Sequence, residues 1–306
     1  MRKPKIIVSK CLDSQKCRYD GQGYNNKVIS SLRDFCDVFT VCPEVEIGLS
    51  IPRETIRVET ENDLYKLVQT KSKGDFTNLM NEFSEEFLIN LGEVDAFILK
   101  GKSPSCGIKD VKVYHKNNDC SIRNNGNGFF AQKVLEKYPH LPIENEGRLS
   151  NFSVRDDFLT KIFLINDLKS HEDIHKFNLD HDILLKSYDK EKKESIKDKI
   201  HKLEKEEYEG LVYDIISTKR KREIKLSIVE DIFKKYAPNL TIDEVKMFKD
   251  LVKSFENEKI PFSTLCAVIR VYAIRFKDSE ILNQSFFSPY PEDLINICDS
   301  GKGRKI

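Results

Sequence analysis

The sequence lacks the features that would place it in or against a membrane. No stretch approaches the roughly 18 consecutive apolar residues that a spanning helix needs. After the basic start, Met1–Lys5, the apolar run is only about four residues, too short for a signal peptide. The net charge is +1 although 33% of the residues are charged, so bulk charge gives no reason to expect binding to nucleic acid or lipid. We therefore expect a cytoplasmic protein without membrane association.

The sequence also lacks paired cysteines. It has eight cysteines, but none of them forms a Cys-x-x-Cys pair, and this disfavours a zinc ribbon or finger. Disulfides are disfavoured as well, because the cytoplasm is reducing. The cysteines are therefore expected to be free thiols or metal ligands.

The length of 306 residues is sufficient for two domains that each bury a core. Strand-like and helix-like patterns alternate in the first half, whereas no convincing strand follows residue 150. This predicts an α/β N-terminal domain (1–150) with a mostly parallel, Rossmann-like sheet, followed by an all-α C-terminal domain (151–306).

Apolar spacing predicts the individual elements. The first half should contain strands at 5–9, 38–41 and 94–99, an extended segment at 57–60, helices at 27–35, 63–69, 76–91 and 129–137, loops at 46–52 and 124–128, and an extended connection at 138–146. The second half should contain a helix around 154–165, one or two exposed helices within 181–219, a helix opened by the capping-box signature Thr241–Glu244, and a buried helix at 262–276.

Three cysteines follow the three predicted core strands, in the order Cys11, Cys42 and Cys106. If these strands are parallel neighbours, their carboxyl ends meet at the edge where α/β sheets bind ligands, and the three thiolates converge. Clustered thiolates favour an iron–sulfur cluster or zinc over hard cations, and three of them leave one metal position open. The competing interpretation is that cysteine is a common core residue.

Residues around these cysteines add further functional groups. Cys42 is followed by Pro43 and by Glu44, which places a carboxylate next to a soft ligand. Cys106 lies in Ser-Pro-Ser-Cys-Gly, where Gly107 allows backbone N–H groups to approach an anion or a cluster sulfide.

At these residues the sequence resembles the thiouracil desulfidase family. The resemblance covers roughly residues 5–150 and is carried by Cys11-Leu12, Arg18–Gly21, Val41–Leu49, Pro52-Arg53 and Lys102–Gly107. The second half is similar to the YbgA-type domain, at Leu184–Tyr188 and Asn283–Leu294.

The resemblance implies a [4Fe-4S] cluster held by Cys11, Cys42 and Cys106, with one iron not ligated by protein. It implies removal of sulfur from a thiolated uracil or a thiouridine nucleotide, which releases hydrogen sulfide without net redox change. Glu44 and Ser103 are the implied catalytic residues, with Glu44 as the base that activates water.

Substrate-binding residues are predicted in the same motifs. They are Arg18, Arg53, Lys102 and Ser105. The three cations suit a nucleotide phosphate, although such residues more often form ion pairs in loops or on the surface.

Two positions depart from the family pattern. Ser14 stands where the family usually has glycine. Cys17 is an additional thiol, and we interpret it as uninvolved, because ligation of the open iron would block catalysis. The remaining cysteines are predicted to be structural or free: Cys36, Cys120, Cys266 and Cys298.

The segment His171–His175 matches the H-E-x-x-H zinc motif. It lies in a highly charged stretch without a recognisable third ligand, so we interpret the match as chance. His181 stands where the YbgA-type domain often has a histidine, whereas Asn178 replaces another one.

A second hypothesis is a metal-stabilised binding module. Its three cysteines would hold zinc or a structural cluster, and its helical domain would recognise RNA or a protein partner. The near-zero net charge and the lack of a long basic run argue against nucleic acid. The helical domain could equally cap the active site or form a homodimer.

Overall fold

The structure is a computed structural model of the chain and describes residues 2–62, 64–116 and 118–296. Cys298 lies outside the described residues. The chain divides into two compact units, one ending at Ile162 and the other beginning at Phe163. The predicted domain boundary at residue 150 stays a prediction.

A four-stranded parallel sheet forms the centre of the first unit. β1 (Lys5–Ser9) lies between β2 (Asp37–Val41) and β5 (Ala96–Leu99), and β8 (Ile143–Asn145) pairs with the far side of β5. All four residues of β5 are buried, as expected for a parallel strand that is covered on both faces. The predicted α/β fold with a parallel sheet is confirmed.

Helices of the first unit connect these strands. They are α1 (Lys27–Leu32), the single turn α2 (Pro43–Glu46), α3 (Thr77–Asn90) and α4 (Phe129–Lys137). The side chain of Asn26 caps α1 by accepting hydrogen bonds from two of its first backbone N–H groups. Phe87 of α3 and Phe130 of α4 meet edge to face, with ring centroids 5.7 Å apart, over the parallel sheet.

A second, mixed sheet of four strands accompanies the first. Its order is β4-β3-β6-β7, and its strands are β3 (Ile56–Glu61), β4 (Leu64–Gln69), β6 (Val111–His115) and β7 (Ser121–Gly126). β3 pairs antiparallel with β4 and parallel with β6, and β6 pairs antiparallel with β7.

This sheet corrects two predictions. The helix predicted at 63–69 is wrong for residues 64–69, which form β4. Leu64, Leu67 and Val68 imitate helical spacing, but φ of +51° at Asn62 lets the chain reverse, and all six residues pair with β3. The loop predicted at 124–128 is wrong for residues 124–126, which belong to β7. Arg123 and Gly126 pair with Val113 and Val111 of β6, with a register shift between the two pairs.

Only helices follow β8 in the described residues, so the predicted all-α second half is confirmed. α5 (Phe152–Ser170) runs across the division between the two units. The remaining helices of more than one turn are α6 (Ile174–Asp180), α7 (Asp182–Tyr188), α8 (Lys190–Lys197), α9 (Lys205–Ile216), α10 (Arg222–Tyr236), α11 (Ile242–Glu256) and α12 (Phe262–Arg275), followed by the short α13 (Ser279–Leu282). None of the helices in the described part of the chain has the length and apolar character that a membrane crossing requires.

The segment 181–219 differs from its prediction as one or two exposed helices. It contains α7, α8 and α9, and each of them buries one face, for example at Leu185, Ile196 and Tyr208. The many charged residues suggested fully exposed helices, but most of them lie on the outer faces and leave an apolar face to be buried. By contrast, the capping box at Thr241 and Glu244 and the buried helix α12 are confirmed.

Candidate active site at the carboxyl edge of the parallel sheet

Three cysteines lie at the carboxyl ends of three adjacent parallel strands. Cys11 follows β1 in a short 3-10 turn, Cys42 separates β2 from α2, and Cys106 lies in the loop after β5. Because β1 is flanked by β2 and β5, the three residues share one edge of the sheet. Cys42 and Cys106 are buried and Cys11 is half-buried. The thiols therefore form a site that is largely shielded from solvent.

The loop that carries Cys106 is shaped by Ser103 and Gly107. The hydroxyl oxygen of Ser103 accepts hydrogen bonds from the backbone N–H groups of Ser105, at 3.2 Å, and Cys106, at 3.1 Å. The N–H of Gly107 donates to the carbonyl oxygen of Ser103 at 2.7 Å. A Cβ atom on Gly107 would lie 2.4 Å from a methyl group of Val111, so this tight turn requires glycine.

The N-terminus of α4 packs against this loop and forms hydrogen bonds to it. The backbone N–H groups of Phe129 and Ala131 donate to the carbonyl oxygens of Pro104, at 3.1 Å, and Ser105, at 3.0 Å. Two N–H groups near the start of the helix are therefore satisfied by the loop rather than by water. A Cβ atom on Gly128 would lie 2.4 Å from the carbonyl oxygen of Ser105, so the helix approaches as closely as a backbone can.

The carboxylate of Glu44 is held by three hydrogen bonds. Arg53 donates to Oε2 from Nε at 2.9 Å and from Nη2 at 2.6 Å, and the hydroxyl of Ser105 donates to Oε1 at 3.0 Å. The side chain of Arg53 is only 4% exposed and that of Glu44 14% exposed, so this ion pair is mostly shielded from water. The carboxylate is thus fixed in orientation beside the thiols.

Arg53 also ties down the loop between Cys11 and α1. Its Nη1 donates to the carbonyl oxygen of Cys17 at 2.9 Å, and its backbone N–H donates to that of Tyr19 at 2.8 Å. The sequence predicts Arg53 as a substrate ligand, and that role stays a prediction. In the structure its guanidinium group connects Glu44 to the loop.

The other predicted substrate-binding cations are more accessible. Arg18 lies 3.7 Å from the carboxylate of Asp20 and packs over the ring of Tyr19. Lys102 is exposed and has a φ of +61°. Neither residue is fixed by a buried ion pair.

Cys17 lies beside the other thiols, and its interpretation as uninvolved in the chemistry stays a prediction. Its side chain is 4% exposed and hydrogen-bonds to the thiols of Cys11 and Cys42. The bond with Cys11, together with burial, raises the pKa of Cys17 to about 11 against the opposing bond with Cys42. We call the four cysteines Cys11, Cys17, Cys42 and Cys106 the thiol site. In the sequence, the short distance between Cys11 and Cys17 was the feature that could have predicted their proximity.

The thiols of Cys42 and Cys106 are stabilised in their neutral form when no metal is bound. The hydrogen bond with Cys17 and then burial raise the pKa of Cys42. Burial raises the pKa of Cys106 to about 12, although Ser9 and Ser103 hydrogen-bond to its sulfur. A bound metal would reverse this preference, because a coordinating thiol is deprotonated.

The loop from Cys11 to α1 adopts the conformation that the family's glycine would permit. Ser14 has a φ of +62°, in the left-handed region that glycine reaches most readily. Gly23 lies so close to this turn that a Cβ atom on it would be 2.6 Å from the carbonyl oxygen of Ser14. Ser14 therefore adopts, in a tightly packed turn, a backbone conformation that favours glycine.

The H-E-x-x-H match lies on two separate elements. His171 follows the end of α5 and lies 3.1 Å from the carboxylate of Asp167, whereas His175 belongs to α6 and is exposed. The two imidazoles are therefore not one turn apart on a single helix, as the zinc motif requires.

His181 belongs to a buried polar network in the second unit. Its Nε2 lies 2.7 Å from Oδ2 of Asp167, and its Nδ1 lies 2.6 Å from the hydroxyl of Ser285. Nearby, Asn178 accepts a hydrogen bond from the hydroxyl of Tyr208 at 3.2 Å. These contacts join helices that are distant in the sequence.

The donors at this sheet edge are thiols. Among the described residues, no group of three His, Cys, Asp or Glu side chains is arranged to hold one metal ion. Iron–sulfur clusters are held by cysteine thiolates. Cys11, Cys42 and Cys106 agree with such a group in ligand type, in burial and in their position at one edge of the sheet.

Comparisons with known proteins also divide the chain into two parts. A family model described as 2-thiouracil desulfurase matches residues 6–146, and one described as a protein of unknown function (DUF1722) matches residues 183–291. Uncharacterized protein YbbK of Bacillus subtilis (strain 168) is 36% identical over 110 residues, which are 33% of this chain and 72% of YbbK. The solved structure of the [4Fe-4S]-dependent thiouracil desulfidase TudS is 27% identical, covers 48% of this chain and 93% of TudS, and has a TM-score of 0.39.

Proposed function

Because this chain belongs to the 2-thiouracil desulfurase family through residues 6–146, we propose that it removes sulfur from a thiolated pyrimidine. The substrate is a thiouracil base or a thiouridine nucleotide, and the products are the oxo-pyrimidine and hydrogen sulfide. The observation that carries the proposal is the position of the Glu44 carboxylate beside Cys11, Cys42 and Cys106 at one sheet edge.

The three cysteines would hold a [4Fe-4S] cluster with one iron that none of them ligates. When bound, this cluster supplies a Lewis acid for the thiocarbonyl sulfur of the substrate. Cys11 and Cys42 directly follow strand ends, and α4 holds the loop of Cys106, so the sheet and this helix together would set the spacing of the thiolates.

Glu44 is the general base in this proposal. Its Oε1 accepts one hydrogen bond, from Ser105, and a carboxylate oxygen has a second lone pair that can accept one from water. Glu44 takes a proton from this water as the water oxygen bonds to the pyrimidine carbon. The carbon–sulfur bond then breaks, the proton held by Glu44 and the second proton of the water pass to the sulfur, and the sulfur leaves as hydrogen sulfide. No electron is gained or lost.

Arg53 and Ser105 orient the base. They bind different oxygens of Glu44, so the carboxylate cannot rotate away from the thiols without losing a buried hydrogen bond. Ser103 fixes the Cys106 loop and hydrogen-bonds to the sulfur of Cys106. As the second catalytic residue that the resemblance implies, Ser103 hands on a proton in this proposal.

The test uses protein purified without oxygen, with iron, sulfide and hydrogen sulfide release measured for 2-thiouracil and 4-thiouridine monophosphate. Cys42→Ala should lose the cluster. Glu44→Gln should keep iron and sulfide but lose turnover by about 10²- to 10⁴-fold, the usual contribution of a general base. Glu46→Gln, two residues further along α2 and exposed, is the matched control and should remain active.

Two outcomes would redirect the interpretation. Full turnover by Glu44→Gln would exclude Glu44 as the base. Zinc as the sole metal after anaerobic reconstitution would favour the metal-stabilised binding module.

A further inference from the structure

Three side chains of the second unit form a row of hydrogen bonds that the proposed function does not use. Nε2 of His181 lies 2.7 Å from Oδ2 of Asp167, and Nδ1 of His181 lies 2.6 Å from the hydroxyl oxygen of Ser285. Asp167 belongs to α5, His181 connects α6 to α7, and Ser285 begins a short 3-10 turn after α13. The packing of three separate segments therefore brings a carboxyl group, an imidazole and a hydroxyl together.

The carboxylate of Asp167 decides which nitrogen of His181 carries the proton. Burial opposes ionisation of Asp167, but hydrogen bonds and charges from His181 and His171 lower its pKa, so the ionised carboxylate can only accept hydrogen bonds. In the neutral imidazole, Nε2 of His181 therefore donates to Asp167, and Nδ1 accepts from the hydroxyl of Ser285. This nitrogen is thus placed to take the hydroxyl proton, which is the role of histidine in a Ser-His-Asp triad.

The backbone of Ser285 is held in place by its neighbour, Gln284. The side-chain oxygen of Gln284 accepts a hydrogen bond from the backbone N–H of Ile183 at 2.9 Å, and its nitrogen donates to the carbonyl oxygen of Leu179 at 2.7 Å. Leu179 and Ile183 lie two positions before and after His181. Gln284 therefore connects the end of α6 to the start of α7 and fixes Ser285 beside His181.

The imidazole of this row is buried, whereas the serine is accessible. His181 is 6% exposed and Ser285 is half-buried, so a substrate can reach the hydroxyl without opening the core. Two exposed leucines lie on the segments that carry these residues, Leu179 at 67% and Leu282 at 41% exposure. Because exposed apolar side chains gain from being covered, they favour a substrate with an apolar group next to the reacting carbon.

We propose that Asp167, His181 and Ser285 form a second catalytic site, which hydrolyses a carboxylic ester with a small apolar acyl group. The oxygen of Ser285 bonds to the ester carbonyl carbon while its proton passes to Nδ1 of His181. The bond from this carbon to the alcohol oxygen then breaks, and the alcohol leaves with that proton. Water, deprotonated by the same nitrogen, attacks the acyl-serine, which releases the acid and returns the proton to Ser285. The backbone N–H of Phe286, the residue after the nucleophile, is the expected donor to the oxyanion.

The decisive experiment treats the full chain with a fluorophosphonate probe, which reacts with serines that a base activates, and locates the modified residue by peptide mass spectrometry. Ser285 should be modified in the wild type, with loss of fluoride, and no modification should occur in Ser285→Ala. Ser288→Ala is the matched control, because Ser288 is exposed, lies three residues further along and should not affect labelling. An unmodified Ser285 in the folded wild type would overturn the inference.

Hydrolysis of p-nitrophenyl butyrate provides a second readout. Ser285→Ala and His181→Gln should each lower the hydrolysis rate by about a hundredfold or more, as expected when a nucleophile or its general base is lost, and Ser288→Ala should match the wild type. Equal rates for Ser285→Ala and the wild type would overturn the inference. If His181→Gln does not fold, the comparison of Ser285→Ala with the wild type still decides.

Discussion

Arg53 shows how one side chain can organise a site without being one of its reacting groups. It binds one oxygen of Glu44 and the carbonyl oxygen of Cys17, and it is only 4% exposed. A buried ion pair is not strongly stabilising in itself, but removal of one partner leaves an uncompensated charge. Arg53 therefore acts by positioning Glu44.

We predict that Arg53→Gln lowers kcat for desulfidation by about tenfold to a hundredfold, the usual cost of misplacing a catalytic group by about 1 Å. Arg57→Gln is a matched control, because Arg57 also forms a buried pair, with Glu59, but on the second sheet. Each substitution should lower the free energy of unfolding by about 3 kcal/mol, measured by denaturant titration. Only Arg53→Gln should slow turnover.

The split between kcat and KM separates the two roles considered for Arg53. A raised KM with unchanged kcat would contradict the positioning role and favour direct binding of a substrate phosphate, as the sequence suggests.

At the scale of elements, the contact between α4 and the Cys106 loop leaves the least space for any additional atom. The helix donates two backbone hydrogen bonds to the loop, and Gly128 leaves no room for a side chain there. The position of one cysteine thus depends on the start of a helix more than twenty residues later in the chain.

We predict that Gly128→Ala displaces this loop, lowers the free energy of unfolding by about 1–3 kcal/mol through overpacking, and reduces the bound iron. Gly210→Ala is the control, because Gly210 lies inside α9 and a Cβ atom there has nothing within 4 Å. It should raise the free energy of unfolding by about 0.5–1 kcal/mol. Denaturant titration and iron analysis of both variants are the measurements, and full iron content in Gly128→Ala would contradict the role given to this contact.

The second sheet shows where element prediction failed. The segment Leu64–Gln69 has helical apolar spacing, but it is only six residues long and its backbone pairs fully with β3. The polar segment at residues 124–126 has the composition of a loop, yet it continues β7, whose residues on either side of Asn124 and Asn125 pair with β6. In both cases pairing with a neighbouring strand stabilised the extended backbone, and local composition does not reveal such pairing.

Several acidic side chains, distributed over both units, are stabilised in their charged form. Burial opposes ionisation of Asp182, but hydrogen bonds and charges from Lys186 and Lys193 outweigh it and lower its pKa. Burial likewise opposes ionisation of Asp167, and His181 and His171 lower its pKa. Asp110 is an opposite case, because burial raises its pKa.

We predict that the chain loses stability in acid. A carboxyl group whose pKa is lower in the folded state stabilises it above the unfolded value, about 3.9 for Asp. That contribution is lost as the pH falls through the folded pKa. The free energy of unfolding, measured by denaturant titration from pH 7 to pH 3, should therefore fall steeply only below about pH 4.

Substitution isolates the contribution of one of these groups. Asp182→Asn should be less stable at pH 7 and less sensitive to acid, because Lys193, whose side chain is 3% exposed, loses its charged partner. Asp231→Asn, in an exposed pair with Lys234, should change stability by less than about 0.5 kcal/mol. A wild-type chain that gained stability between pH 5 and pH 3 would contradict this account.

The sequence by itself determined the core strands, the helices that connect them and the three cysteines at their ends. Continuous apolar runs and 3.6-residue spacing encode these elements locally, and the carboxyl ends of parallel neighbours necessarily share an edge. Only the tertiary structure decided that Cys17 joins the thiols, that Arg53 holds Glu44 and that Ser105 completes its hydrogen bonds. These contacts join residues that are far apart in the chain or on opposite sides of a loop, and their pairing follows from how the elements pack rather than from any local pattern.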